Sequence, residues 1–172
     1  MSKLIALMTC MALGVNIVTV KAPQPFEAMT IEERASACEL SVEEFELFSG
    51  IVEAESNRST DGDLEGRIMI ALTIWNRFHD SRFPDSVTGV ISQNGQFSTY
   101  RRSTGSSCVN GTVYSDEAVV RAYEWIESGE DYPWVLFFNC RSYFSGYEPY
   151  AMVGGNYFSV AEPMIEEVEH GN

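Results

Sequence analysis

The stretch "SVEEFELFSGIVEAES", residues 41 to 56, constrains the fold of this chain more than any other. It begins with a capping box, because the Ser41 hydroxyl can accept a hydrogen bond from the Glu44 amide while the Glu44 side chain reaches back. Apolar residues then recur at the spacing of one helix face: Phe45, Phe48, Ile51 and Val52. The pattern predicts a helix that buries this face in a core and ends close to Glu55.

Two glutamates near the end of this helix receive opposite predictions. At 100° per residue, Glu55 lies about 20° from Phe48, whereas Glu53 lies about 160° from Glu55. We therefore predict that Glu53 faces solvent and that Glu55 ends the apolar stripe. A carboxyl group held against apolar side chains retains its proton more readily than in water, as a general acid requires. The alternative is that Glu55 only reaches solvent, or pairs with Arg58 or Arg77.

A second helix is predicted from about Asp63 to Phe78, and "VTGVIS" predicts a short helix or a bend after it. Acidic residues near the start of the second helix suit the positive end of its dipole: Asp61, Asp63 and Glu65. The polar segment 93–112 then forms a long loop with embedded aromatic residues. Long loops in compact domains are usually functional or disordered.

A third helix is predicted to be capped at Ser115 and to stop at Gly129. The segments "WVLFFNC" and "AMVGGNYFSV" have the β-branched and aromatic composition of strands, and we interpret each as one strand. Helices thus come first and strands last. This order predicts an α+β domain, mainly helical with a small sheet.

The first 22 residues carry the features of a cleaved export signal. Lys3 precedes an apolar run, and Val20 and Ala22 have the small-residue spacing that signal peptidase prefers. Asn16 interrupts the run, which falls short of the ~20 apolar residues of a membrane span. A buried helix or a membrane anchor is the alternative. We predict four segments: a cleaved signal at 1–22, a linker with a short helix at 23–40, a folded domain at 41–165 and a tail at 166–172.

The charge of the chain restricts its partners. Its 11 basic residues face 25 acidic ones, which gives a net charge of −14, and both lysines lie within the predicted signal. A surface this acidic repels nucleic acids and anionic membranes. Nucleic acid is therefore excluded as a partner, and no stable membrane insertion is expected once the signal is removed.

Three cysteines remain after such a cleavage: Cys38, Cys108 and Cys140. In an oxidising compartment, one disulfide and one free thiol is the simplest arrangement, and Cys108 with Cys140 is our preferred pair. The histidines, His79 and His170, are far apart, and the cysteines lack close ligand spacing. The sequence therefore predicts no metal site.

Six short motifs occur in an order that resembles the SleB-type cell wall hydrolases. The motifs are Ala54-Glu55-Ser56, Glu65-Gly66, Trp75-Asn76-Arg77, Phe83-Pro84, Val90-Ile91 and Gln96-Phe97-Ser98. They run from residue 50 to residue 98, with a looser similarity to about residue 159. The order of the six carries the resemblance, because each motif alone is weak.

The resemblance implies that residues 41–165 form a peptidoglycan-cleaving domain with a lysozyme-like α+β fold. It implies lytic transglycosylase activity on the glycan strands of peptidoglycan, at the bond between N-acetylmuramic acid and N-acetylglucosamine. The catalytic acid of the family falls on Glu55. No cofactor is implied, and the chain is expected to be secreted, periplasmic or wall-associated, whether its gene is bacterial or from a phage.

Residues of the long loop are the candidates for sugar binding. Gln96 offers an amide to sugar substituents, and Phe97 either packs on a sugar face or is a core plug that anchors the loop. The full set predicted to bind substrate is Gln96, Phe97, Ser98, Tyr100, Asn76 and Tyr143. One departure stands out, because Asn156 occupies the position of a histidine in the family.

Two other functions stay open. An N-acetylmuramoyl-L-alanine amidase would need two or three zinc ligands around a water, which the two isolated histidines do not favour. A non-catalytic wall-binding module would keep the fold after losing the family histidine.

Overall fold

The computed structural model of the chain describes residues 25–56 and 64–163. The predicted signal at 1–22, the acidic residues Asp61 and Asp63, and the predicted tail at 166–172 lie outside the described residues. None of the helices in the described part is long and apolar enough to cross a membrane.

The predicted first helix is confirmed as the second helix of the fold. It runs over Val42–Glu55 (α2) and begins with the predicted capping box. The Glu44 amide donates to Ser41 Oγ over 3.2 Å, and the Ser41 amide donates to Glu44 Oε2 over 3.2 Å. Its apolar stripe is fully buried: Phe45, Phe48, Ile51 and Val52.

A shorter helix, Ile31–Ala37 (α1), precedes α2 and follows a single 3-10 turn at Phe26–Ala28. It has its own capping box, between Thr30 and Glu33. Ala35 and Cys38 are buried in the hydrophobic core. The segment predicted as a linker with a short helix thus contributes side chains to the core.

The central helix is Leu64–His79 (α3), close to the predicted bounds, and its residues from Met69 to Arg77 are all buried. Trp75 is its main packing residue. Its ring lies 5.1 Å from that of Phe48 on α2, and its Nε1 donates to the Val119 carbonyl over 3.3 Å. The predicted short helix follows as Val87–Ser92 (α4).

The last helix, Val113–Glu127 (α5), begins earlier than predicted. Its cap is Thr112, whose hydroxyl accepts from the Ser115 amide, so the predicted cap at Ser115 is wrong. Ser115 is the reciprocal partner of this box, because its hydroxyl accepts from the Thr112 amide over 2.7 Å. Gly129 follows the helix with a φ of 69°, a conformation that glycine adopts at low cost and that ends the helix as predicted.

The sheet has three antiparallel strands in the order β3-β5-β4: Val135–Asn139 (β3), Glu148–Val153 (β4) and Asn156–Val160 (β5). The segment interpreted as one strand is two, joined at Gly154 and Gly155 with φ values of 56° and 80°. Positive φ at both central residues is the requirement of a tight hairpin turn. Within the long loop, Tyr100–Arg101 (β1) pairs with Ser106–Ser107 (β2). The predicted α+β class is confirmed.

The prediction for Glu53 is wrong, because its side chain is buried. Arg67 donates to both of its carboxylate oxygens, from Nε over 3.1 Å and from Nη2 over 3.3 Å. The Thr112 hydroxyl adds a third bond, over 2.9 Å to Oε2. The face of α2 predicted to meet water is covered by the chain just before α5, where a Cβ added at Gly50 would lie 2.7 Å from the Val109 carbonyl oxygen.

Candidate active site

A cleft of about 530 Å³ opens at the end of α2. One wall is the loop 95–99, and the other is the end of β3 with the turn after it. Its lining residues are Ala54, Glu55, Arg77, Gly95, Gln96, Phe97, Ser98, Thr99, Phe137, Phe138, Asn139, Cys140, Phe144 and Asn156. The cleft therefore brings the predicted acid together with three of the loop residues predicted to bind substrate.

Glu55 is the last residue of α2 and is half-buried in the cleft. The Thr99 hydroxyl donates to its Oε1 over 2.6 Å. Among the described residues, no other hydrogen bond to this carboxyl group is found. Thr99 thus holds one oxygen and, among the described residues, leaves the other without a hydrogen bond. Thr99 was not among the predicted site residues, although it is next to the Gln-Phe-Ser motif.

The loop that carries Thr99 is anchored on both sides. The Cys108 amide donates to the Thr99 carbonyl over 2.9 Å, which ties the loop to the β1–β2 hairpin. Phe97 is only 5% exposed, and its ring lies 6.3 Å from that of Phe138. Phe97 was predicted either to pack on a sugar face or to anchor the loop in the core. Its burial matches the second role. Its neighbours Gln96 and Ser98 are exposed in the cleft.

Arg77 lies at the floor of the cleft and is 4% exposed. Its guanidinium carbon is 5.3, 5.7 and 5.4 Å from the ring centres of Phe83, Phe97 and Phe137, within the range of cation–π attraction. Its Nε donates to the Leu136 carbonyl over 2.8 Å. Burial lowers the pKa of Arg77 to about 10, so it stays charged near neutral pH.

Because Arg77 touches a ring from each wall, we expect the variant Arg77→Met to alter the cleft more than the fold. The methionine keeps most of the packing, but the attraction to Phe97 and Phe137 is lost. We expect turnover to fall about tenfold, since small misplacements of catalytic groups carry large kinetic costs. The free energy of unfolding should change by less than about 2 kcal/mol. Turnover and urea unfolding of the variant test this, and turnover equal to that of the original chain would contradict it.

Asn76 is not placed in the cleft. It is fully buried, and its Nδ2 donates to the carbonyls of Pro133 and Val135 over 3.1 and 3.0 Å. It therefore holds the chain entering β3 against α3. Tyr100 and Tyr143 are half-buried and lie outside the lining of the cleft, and the ring of Tyr143 packs on Tyr157 at 5.1 Å.

The predicted disulfide is absent, since all three described cysteines are free. Cys140 is exposed and lines the cleft, whereas Cys108 follows β2 behind Thr99 and does not line it. Cys38 is buried in the core, and burial raises the pKa of its thiol to about 12.

Asn156, at the start of β5, is buried and lines the cleft. The departure from the family motif thus falls within the site itself. Nowhere in residues 25–56 and 64–163 do three or more His, Cys, Asp or Glu side chains cluster as metal ligands would. His79 stacks on Trp75 with ring centres 6.3 Å apart, outside the cleft, and burial lowers its pKa.

A wider cavity of about 1030 Å³ lies away from Glu55, between the start of α3, the end of α5 and β4. Leu64, Ile68 and Trp125 contribute to its mainly apolar wall, together with Glu65. Its volume exceeds that of the cleft, but it holds none of the residues predicted for catalysis or sugar binding.

The sequence profile of the Cell Wall Hydrolase family matches residues 61–156, more than half of the chain. The chain belongs to this family. As a member of this family, the chain is an enzyme that cleaves peptidoglycan, and its role is extracytoplasmic or wall-associated. The matched region begins beyond Glu55, so the role of this residue depends on the geometry of the cleft.

Two solved structures share the fold. The catalytic domain of the Bacillus cereus SleB protein has a TM-score of 0.54 and 22% identity, over 69% of this chain and 91% of that one. The catalytic domain of the germination-specific lytic transglycosylase SleB from Bacillus anthracis has a TM-score of 0.53 and 21% identity, over 69% and 95%. No curated protein sequence matches the chain. The resemblance to SleB-type hydrolases is confirmed.

Proposed function

We propose that this cell wall hydrolase is a lytic transglycosylase that uses Glu55 as its single acid and base. One observation carries the proposal: Glu55 is the only carboxyl group among the described residues that line the cleft. Glycosidases that use a nucleophile of their own or an activated water normally need two carboxyl groups. A site with one carboxyl group suits a substrate that supplies its own nucleophile.

Muramic acid supplies such a group in its C6 hydroxyl. Protonated Glu55 gives its proton to the glycosidic oxygen, and the bond from that oxygen to the muramic C1 breaks. The resulting carboxylate takes the proton of the C6 hydroxyl, whose oxygen bonds to C1. The products are a 1,6-anhydromuramic end and a free C4 hydroxyl on N-acetylglucosamine. Glu55 ends protonated, as it began, so neither water nor a cofactor is consumed.

Thr99 serves this reaction as a positioning residue. Its hydrogen bond holds Oε1, so that Oε2 is the oxygen which meets the substrate. A carboxyl group that rotated freely would point at the glycosidic oxygen for a smaller fraction of the time than one held by a hydrogen bond.

Replacing Thr99 by valine removes the hydroxyl and keeps the shape of the side chain. A hydrogen bond to a charged group contributes about 1.5–3 kcal/mol, so we expect kcat to fall about 10- to 100-fold. KM should change little, because the valine is not aimed at the sugar. Steady-state kinetics on soluble glycan strands measure both. Thr99→Ser keeps the hydroxyl and should restore most of kcat. A rise in KM at constant kcat would instead assign Thr99 to substrate binding.

Polar groups around Glu55 fit N-acetylated sugars. Gln96 and Ser98 are exposed on one wall, and Asn139 and Asn156 face them from the other. Amides both donate and accept hydrogen bonds, as acetamido and hydroxyl groups require. We therefore keep Gln96 and Ser98 as sugar-binding residues.

The products of digestion test the reaction. Purified protein is incubated with sacculi, and the fragments are analysed by mass spectrometry. Anhydromuramic ends, 18 Da lighter than hydrated ones as the loss of one water requires, support the proposal. Hydrated reducing ends would instead indicate lysozyme chemistry. Release of L-alanine amino groups that stops with a chelator would indicate an amidase.

A wall-binding module without turnover, one of the functions that the sequence left open, is not favoured, because the chain belongs to the Cell Wall Hydrolase family.

We also propose that residues 1–22 export the chain. N-terminal sequencing of the secreted protein tests the cleavage site after Ala22.

A further inference from the structure

Large apolar side chains are exposed mainly in one stretch of the described surface. Four of the six exposed ones lie between residues 144 and 152: Phe144, Tyr147, Tyr150 and Met152. Scattered exposed apolar residues need no explanation, but a contiguous patch marks a binding surface. This stretch contains β4, which forms an edge of the sheet.

The patch is continuous with the cleft. Phe144 lines the cleft, and its ring centre is 5.2 Å from that of Phe137, which lines it too. The ring of Tyr147 also lies close to Phe137, with ring centres 4.3 Å apart. Tyr147 in turn borders a further cavity of about 590 Å³ together with Trp134 and Tyr150, and Tyr150 also borders the wider cavity. A row of aromatic rings thus leads from the cleft to this cavity. We call the surface of the cavity, with Trp134, Tyr147 and Tyr150, the aromatic platform.

The lining of the aromatic platform suits a neutral polyhydroxylated ligand. Its rings can pack against the C–H faces of sugars, and the Tyr147 and Tyr150 hydroxyls offer donors. Glu148 and Glu162 are also at the surface, and carboxylates accept hydrogen bonds from hydroxyl groups. No lysine or arginine is among the lining residues. The adjoining Arg82 donates to the Glu162 carbonyl over 2.9 Å, but its charge is paired with Asp80, so a phosphate or an anionic lipid finds no uncompensated positive charge there.

We propose that the aromatic platform is a second glycan-binding site, which holds the same peptidoglycan strand where it continues beyond the cleft. This inference rests on the proposed function, since the strand must first occupy the cleft. A polymeric substrate gains affinity from a second contact at high effective concentration. The platform would therefore select long strands over short fragments.

The platform is held in place before any ligand arrives. Trp134 Nε1 donates to Asp80 over 3.2 Å, and the Ala161 amide donates to the Trp134 carbonyl over 3.3 Å. The Phe144 amide donates to Ser159 Oγ on β5 over 3.1 Å. A surface fixed in this way loses little conformational entropy on binding.

Tyr150→Ser tests the platform, and Tyr114→Ser is the matched control. The two tyrosines are 50% and 48% exposed, but Tyr114 lies on α5, outside both the cleft and the platform. Each variant is assayed on long glycan strands and on a two-disaccharide fragment. We expect Tyr150→Ser to lower kcat/KM on strands about tenfold and to leave the fragment unchanged. Tyr114→Ser should match the original chain on both.

Several outcomes would overturn the platform while leaving the proposed function intact. One is an equal kcat/KM of the two serine variants on long strands. Another is an equal loss of kcat/KM by Tyr150→Ser on strands and on the fragment, which would mean that the substitution disturbs the fold. A molar mass in solution that doubles as the protein concentration rises would indicate a dimer. If Tyr150→Ser kept the protein monomeric, the surface would be assigned to a second copy of the chain. A variant ending at Pro163 with higher strand affinity would assign it to the chain's own tail. If the original chain turns over neither substrate, the proposed function fails first.

Discussion

The Glu55→Gln variant is expected to lose nearly all turnover of peptidoglycan. Glutamine is isosteric and can still accept the hydrogen bond from Thr99, but its amide cannot donate a proton to the glycosidic oxygen. General acid–base catalysis contributes about 100- to 10,000-fold, and in the proposed mechanism one residue supplies both steps. We therefore expect kcat to fall by at least about a thousandfold. The rate of anhydromuropeptide release from sacculi measures it.

Glu46→Gln is the matched control for this prediction. Glu46 lies on the same helix but is exposed and outside the cleft. Each variant replaces one carboxyl group of α2 by an amide, so a difference between them reports the position of the carboxyl group. Both should melt within a few degrees of the original chain. If Glu55→Gln keeps more than a tenth of the activity, another group donates the proton.

Glu53→Ala is expected to cause the largest loss of stability. It removes the carboxylate that accepts two hydrogen bonds from Arg67, a side chain that is only 3% exposed. Removing one partner of a buried ion pair lowers the free energy of unfolding by about 3–5 kcal/mol, because the remaining charge stays buried without a counter-charge. Equilibrium unfolding in urea measures the change as a shift in midpoint at a constant slope.

Two comparisons make this prediction specific. The double variant Glu53→Ala/Arg67→Met should recover part of the loss, because an apolar pair often matches a buried ion pair in stability. Glu117→Ala breaks a pair with Arg121, whose side chain is 56% exposed, and should cost less than about 1 kcal/mol. Equal losses for Glu53→Ala and Glu117→Ala would mean that the burial of the Glu53 pair contributes nothing.

Much of the helical part of the fold could be predicted from the sequence. The capping box at Ser41 and Glu44 is formed as predicted, and Gly129 ends α5. These features depend on hydrogen bonds and backbone preferences within three or four residues, which the sequence displays directly. The cap of α5 was misplaced by one turn because Thr112 and Ser115 satisfy the same local rule.

The candidate site could be predicted only in part. Helical geometry and family motifs predicted Glu55, a motif predicted Gln96 and Ser98, and the three residues line one cleft. Thr99 was missed, because its hydrogen bond to Glu55 spans 44 residues of sequence. Asn76 was placed at the substrate, whereas its amide holds the chain that enters β3.

By itself, the sequence determined the α+β class and the bounds of most helices, and it predicted Glu55 as the acid. The tertiary structure alone decided which polar side chains are buried. Glu53 shows why, since its partners Arg67 and Thr112 lie 14 and 59 residues away. Helix periodicity describes a single helix surrounded by water, whereas burial depends on what later segments pack against each of its faces. The placement of Cys140 but not Cys108 in the lining of the cleft, and the course of the aromatic platform, have the same origin.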